Sequence, residues 1–173
     1  MPEEISLSIG EDELMVRAIV HPLFYSNSKS QVKREAFLPP PGKNDVSLLR
    51  KKYTTDDFCK KHGNSLQIRE NTYCGLVVFV ASCVALTNQV QELQAALKAT
   101  PIDENNRHIR GRTVFANENG LPMHADLMYE QNIEKGEVQT KFRSYANELL
   151  KFSRYFHDSH PESDFWMEEE LRM

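Results

Sequence analysis

Residues 73–84 read Tyr73-Cys74-Gly75-Leu76-Val77-Val78-Phe79-Val80-Ala81-Ser82-Cys83-Val84. The run is almost continuously apolar and rich in β-branched side chains, the pattern of a strand buried in the middle of a sheet. It is too short to cross a bilayer, which takes about 20 apolar residues. A strand of this kind needs partners, and the rest of the chain supplies candidates.

On its N-terminal side, Leu14 to Val20 alternates loosely and reads as a strand, stopped at His21-Pro22. Ser26 to Ser30 is a polar turn, and Gln31 to Leu38 reads as a second strand before Pro39-Pro40-Pro41-Gly42 breaks the chain. Asp45 to Leu49 is a short strand or turn. Thr54-Thr55-Asp56-Asp57 ahead of Phe58 is a helix start, since hydroxyl and carboxylate oxygens accept from the free amides of a first turn. Gly63 is expected to end that helix.

On its C-terminal side, Leu86, Val90, Leu93 and Leu97 recur at helical spacing and predict a helix closed by Pro101. Asp103 to Arg112 is a polar, basic loop. Thr113 to Ala116 reads as a strand, Asn119-Gly120 as a turn, and Met123 to Tyr129 as a strand with His124, Asp126 and Met128 on one face. Val138, Phe142, Tyr145, Leu149, Phe152 and Phe156 form the clearest amphipathic stripe and predict a helix of about five turns. Strands are not regularly interleaved with long helices. The expected fold is therefore α+β, a mainly antiparallel sheet covered by two amphipathic helices in a single domain, rather than a doubly wound parallel sheet.

The 173 residues suit one domain with one core, expected over 1–160, followed by an acidic aromatic tail over 161–173. With 40% hydrophobic and 27% charged residues, the composition is globular and not disordered. Met1 to Ser6 is acidic where a secretory leader is basic and then apolar, and three cysteines do not make a closed disulfide framework. Both features favour a cytoplasmic home with reduced thiols. The net charge is −4, unevenly spread: from Arg17 to Glu70 there are eleven Lys and Arg against five acids, while both ends are acidic. A basic middle can meet an anionic partner, though charge runs more often solvate a surface.

No motif in the chain dictates a reaction. There is no glycine-rich phosphate loop and no nucleophile elbow. Cys59-x-x-His62 with Cys74 has some of zinc's ligand types but lacks a fourth ligand, so no metal site and no cofactor are expected. An acid/base reading uses His21, His124 and Asp126, with Arg50 holding a phosphate or carboxylate in its planar fork and Ser47 nearby. On one strand face, the side chains of His124 and Asp126 stand about 7 Å apart and could line one cleft. An anion-binding reading uses Arg50, Lys51, Lys52, Arg107, Arg110 and Arg112, with Tyr53 available to stack on a base. A docking reading uses the tail, where Phe165, Trp166, Met167 and Leu171 stand among glutamates and could fill a partner's groove or fold back onto the domain.

The run His21-Pro22, Ala36-Phe37-Leu38-Pro39, Val46-Ser47-Leu48-Leu49-Arg50, Gly75-Leu76 and His124-Ala125-Asp126-Leu127 resembles a group of uncharacterised bacterial proteins that share His-Pro, Ala-Phe, Ser-x-x-Arg and His-Ala steps. The resemblance covers residues 14–130. This chain departs from it at Ser47-Leu48, where the group has Ser-Val, and in its C-terminal helix and tail. What the resemblance implies is a bacterial source, an accessory role in a defence or mobile-element system, and one cluster of His21, Phe37, Ser47, Arg50 and His124.

Three function classes fit these features. The first is a small bacterial accessory protein that docks a protein partner. The second is a metal-independent enzyme acting on a phosphodiester or nucleotide. The third is a nucleic-acid-binding module. No membrane association is expected.

Overall fold

In the computed structural model, which describes residues 1–66, 68–130 and 135–173, the run 73–84 divides between two elements. Its first part is a strand, Thr72–Val80, and from Ser82 the chain turns directly into a helix. The turn is held by the amides of Ala81 and Ser82, which donate to the carbonyls of Glu13 and Glu11. In chain order the elements are β1 (Leu14–His21), β2 (Tyr25–Ser26), β3 (Gln31–Val32), β4 (Asp45–Arg50), α1 (Asp56–Ser65), β5 (Thr72–Val80), α2 (Ser82–Val90), β6 (Ala95–Ala99), β7 (His124–Tyr129), α3 (Lys135–Lys151) and β8 (Arg154–His157). Tight 3-10 turns cover Arg34–Phe37 and Lys51–Tyr53.

Six strands form one sheet in the order β6-β7-β4-β1-β5-β8, with neighbours antiparallel, and β2 and β3 form a separate hairpin. The α+β expectation holds. Both faces of the sheet are covered, which is why β5 is apolar at successive positions and not only at alternate ones. Val77 and Phe79 face a core with Phe37, Tyr145 and Leu149, beneath α2 and α3. Leu76 and Val78 face the other core, with Cys59 of α1, Ile5 and Leu171. The two chain ends therefore help to cover the α1 face.

Several boundaries differ from the sequence reading, each for a physical reason. The helix expected through Leu97 ends at Val90, and Ala95–Ala99 is a strand on β7. Side-chain amides end the helix: Asn88 pairs through both its oxygen and its nitrogen with the backbone of Ala95, and Gln94 donates to the carbonyls of Asn88 and Gln91. Leu86 and Val90 are exposed, so only Leu93 of the supposed stripe is deeply buried. The last helix stops at Lys151, and Phe156 belongs to β8. Burying Phe156 on the α1 face is worth about 1.5–3 kcal/mol. The side chain of Val138, first in that stripe, lies outside the described residues.

The second strand shrinks to Gln31–Val32 before the 3-10 turn, and residues 113–116 make only a single bridge, Phe115 to Glu4. Thr55 caps α1 by accepting from the Phe58 amide, as its position suggests. Gly63, expected to end α1, lies inside it instead. A Cβ there would stand 2.8 Å from the Tyr73 ring and 3.1 Å from the Ala18 side chain, so the glycine lets the helix approach the sheet closely.

Two buried ion pairs tie the chain ends to this frame. Arg50, fully buried, meets Glu13 through Nε and Nη2 at 2.9 Å each and also donates to the carbonyls of Ser6 and Ser8. Lys60, also fully buried, pairs with Asp158 at 3.2 Å and donates to the carbonyls of His160 and Phe165. Tyr73 completes the second group by donating to Asp158 at 2.9 Å.

Candidate functional site: a wedge between two strands

The sheet is incomplete at its centre. β1 pairs with β5 from Leu14 to His21, and β4 pairs with β7 from Asp45 to Leu49, but β1 and β4 meet only at Met15–Arg50 and Val16–Leu49. Beyond those positions the two strands part, and backbone groups that would have formed a ladder need other partners. Arg17 supplies two bonds, its Nη1 donating to the Ser47 carbonyl at 3.0 Å and its Nε to the Ala36 carbonyl at 2.7 Å. Its guanidinium lies 4.9 Å from the centre of the Phe24 ring.

A cavity of about 510 Å³ occupies this wedge. That volume is within the range of small-molecule sites, about 300–1,000 Å³. Its walls are mainly apolar, with Leu23, Leu38, Leu48, Leu49, Leu66 and Ile68 among them, and its polar lining comes from Arg17, Glu35, Ser47, His62 and His124. Among the described residues, no carboxylate forms an ion pair with Arg17. Burial pulls its pKa down to about 10, opposed by Tyr129. The guanidinium is thus a half-buried cation beside an apolar hollow, still charged at neutral pH.

His124 is held firmly. Its Nδ1 stands 3.0 Å from the Thr100 carbonyl and 2.8 Å from the Thr100 hydroxyl. A carbonyl can only accept, so Nδ1 carries the proton and Nε2 is left as an acceptor. Nε2 is 4.0 Å from Asp126 Oδ1, beyond hydrogen-bond reach. Asp126 is 4% exposed, and its Oδ1 has no hydrogen-bond partner among the described residues. Burial lowers the His124 pKa, against the pull of Asp126 and Thr100, and it raises that of Asp126, against the pull of His124 and Thr100. His62, on α1, is pushed down by burial and then by His124 and Arg17, which places these three groups in one electrostatic neighbourhood. Asp126 also faces a second cavity, with Thr100, Asp45, Lys98 and His108, so the His124–Asp126 pair stands at the boundary of the two.

The structure brings together part of the expected acid/base set. Ser47 sits directly across from Asp126 in the β4–β7 ladder and His124 across from Leu49, so Ser47, His124 and Asp126 share the α1 face. His21 lies at the far end of β1, opposite Thr72, and lines a different cleft with Pro22, Tyr25 and Lys33. Arg50 serves the interior, with its donors on Glu13, Ser6 and Ser8. The phosphodiester trio of His21, His124 and Arg50 therefore does not line a common cavity.

The basic set is also dispersed. Lys51 pairs with Asp56 at 3.2 Å, Lys52 lies over the Tyr53 ring, and Arg112 pairs with Glu118 at 2.8 Å. Arg107 is in the 103–112 loop, and Arg110 reaches the second cavity. Of the supposed zinc ligands, Cys59 and His62 line the wedge, while the Cys74 thiol sits on the Ile19 carbonyl. Burial pushes the Cys59 thiol up to about 12, so it is no nucleophile at neutral pH.

Compared with known proteins, the chain matches no family model, no curated protein and no solved structure. The site has to be read on its own chemistry. Arg17 and Thr100 were not in the site set read from the sequence. Arg17 had a visible signal, a lone charge inside the apolar strand Leu14 to Val20. Thr100 had none, because its role depends on contact with His124 across a chain separation of 24 residues.

The tail folds back on the domain. Leu171 is 4% exposed and its amide donates to Asp56. Trp166 is half-buried, its amide on Asp57 and its indole on the Glu169 carbonyl. Phe165 and Met167 project outward, 66% and 58% exposed. No helix among the described residues is long and apolar enough to cross a membrane.

Proposed function

We propose that this domain binds a small amphipathic organic anion in the wedge between β1 and β4. Arg17 holds the anionic head, and the leucine and isoleucine walls hold the apolar body. One observation carries the reading: a half-buried guanidinium lines an apolar cavity, and no carboxylate of the described residues forms an ion pair with it. A buried charge is costly unless it is paired, and a bound carboxylate or phosphate would supply the missing charge in bidentate geometry. Glutamine at position 17 keeps a donor but loses the charge. Arg17→Gln is expected to weaken binding of aryl and alkyl carboxylates by about 10- to 150-fold, corresponding to about 1.5–3 kcal/mol for a charge-assisted hydrogen bond. Calorimetric titration of the two proteins with the same carboxylates tests this, and equal affinities would remove Arg17 from the site.

A second reading, an accessory protein that docks a partner, rests on Phe165 and Met167. Both are exposed apolar side chains on a backbone pinned by Lys60 and Asp57. An apolar side chain held outward on an ordered segment loses little entropy on docking. Replacing both with Ser should leave the thermal midpoint nearly unchanged and abolish co-purification of any stoichiometric partner. A partner retained by the double variant would exclude this surface.

A further inference from the structure

Two adjoining clefts lie at the His21 end of β1, where the β2–β3 hairpin, α3 and the edge strand β8 converge. Their volumes are about 460 and 670 Å³, and they share Gln31, Lys33, Arg34 and Asn147 as a common wall. Four cations line them, Lys29, Lys33, Arg34 and Lys151, against one carboxylate, Glu35. Lys151 is paired with Glu148, but Lys29, Lys33 and Arg34 form no ion pair among the described residues. Three unneutralised cations close together in the chain make a local positive field on a protein of net charge −4. The frame that carries them is ordered by its own bonds. Tyr25 stands opposite Val32 and Ser26 opposite Gln31, the Ser30 amide donates to the Asn27 carbonyl, and Lys33 Nζ donates to the Pro22 carbonyl at 3.2 Å. An aromatic row stands beside the cations. Tyr25 lines the larger cleft and Tyr155 the smaller, with ring centres 5.0 Å apart, and His157 lies 6.4 Å from the first and 6.1 Å from the second. Tyr155 is fixed, its hydroxyl donating to the Cys74 carbonyl at 3.1 Å.

We propose that these clefts bind a single-stranded oligonucleotide, its phosphates on Lys29, Lys33 and Arg34 and a base stacked on the Tyr25 end of the aromatic row. The site is separate from the wedge and does not depend on the Arg17 reading. Charge and shape select this class of ligand. A lone carboxylate needs one cation and would leave the other two repelling each other. A phosphodiester chain brings one charge with each nucleotide and spreads them along the shared wall. An acidic peptide also brings charge, but its glutamates have nothing flat to lay on tyrosine and imidazole rings, whereas every base has a π-face. A duplex keeps those faces inside its own stack, which favours a single strand. The side-chain amides of Asn27, Gln31 and Asn147 line the same walls and can both donate and accept at base edges. The three cations belong to the basic stretch from Arg17 to Glu70, and they are a different set from the dispersed Arg50, Lys51, Lys52 and loop arginines.

Fluorescence anisotropy of the full chain with a labelled oligothymidylate of about twelve nucleotides, within the usual range of single-strand site sizes, tests this. The expected result is binding whose log affinity falls with log salt at a slope of about −2, as for three phosphate contacts at about −0.7 each. Lys29→Gln and Arg34→Gln should each take about 0.7 off that slope. Tyr25→Leu should leave the slope in place and weaken binding by about 5- to 150-fold, the loss of one stacked base. Arg107→Gln makes the same charge change in the exposed 103–112 loop and should alter neither slope nor affinity. A thermal melt of each variant establishes folding, and Lys29, which is exposed, tests the site even if Tyr25→Leu folds poorly. Equal weakening by Arg107→Gln would mean diffuse attraction and would overturn the site. A flat salt response, or no binding at about 0.1 mM protein in low salt, overturns it as well. Equal competition by an oligoglutamate of the same charge, with Tyr25→Leu silent, would assign the clefts to an acidic peptide instead. None of these outcomes bears on the carboxylate titration of the wedge.

Discussion

Replacing Asp158 by Ala lowers the unfolding free energy by about 3–5 kcal/mol, the usual cost of stranding one charge of a buried pair. Lys60 is fully buried, and in this variant its ammonium loses its carboxylate while keeping only carbonyl partners. Tyr73 loses its acceptor as well. For a domain of this length, the thermal midpoint should fall by roughly 10 °C. The effect should begin in the tail, because Lys60 grips the carbonyls of His160 and Phe165. The chain has one tryptophan, Trp166, so its fluorescence reports tail docking directly. A red shift that precedes global unfolding, together with faster proteolysis beyond residue 158, is the expected signature. A loss below about 1 kcal/mol, the range of exposed pairs, would mean that water reaches the pair. The double change Lys60→Met with Asp158→Leu removes both charges, but the two carbonyls still lose their donor, so recovery should be incomplete.

Arg50→Met carries a cost of similar size, about 3–5 kcal/mol, and it acts at the other end of the chain. Glu13 is left buried without its cation, and the carbonyls of Ser6 and Ser8 lose their donors. In urea the midpoint should fall while the slope stays constant, the pattern of lost stability without a change in the exposed surface. The pH dependence identifies the pair. Burial works to raise the Glu13 pKa, but Arg50 and the Gly10 amide outweigh it and hold the carboxyl below its ordinary 4.5. A depressed carboxylate contributes stability above its unfolded pKa and loses it as pH falls through the lower folded value. The native protein should therefore lose stability below about pH 4.5, and Arg50→Met should flatten that limb. An unchanged limb would assign the acid response to other carboxylates.

Arg50 sits where the acid/base and anion readings had placed a free guanidinium for a phosphate or carboxylate. Arg50 looked available because it follows a short strand or turn and precedes Lys51-Lys52. Its exposure depended on where residues 6–13 cross the sheet, a contact some forty residues away along the chain. Lys60 stands beside Lys61 in the sequence, and it is interior because the tail returns over α1. In both cases a long-range backbone path, not a local pattern, decided whether the charge meets water.

What the sequence determined by itself is what depends on neighbours along the chain. The period of two in Leu14 to Val20 and Met123 to Tyr129 was enough for β1 and β7, and it put His124 and Asp126 on one face. The apolar density of 73–80 was enough for an interior strand, and Thr55 for the start of α1. The α+β class followed from these. Only the tertiary structure decided where elements end, since Asn88 and Gln94 terminate α2 through contacts that spacing does not encode, and Phe156 pairs across from Leu76 of β5 and is buried on the α1 face instead of extending α3. Only the tertiary structure decided the site. The wedge exists because β1 and β4 pair at two positions and then separate. How far two distant strands stay paired is set by the packing on both of their faces, so no local stretch of the chain could announce it.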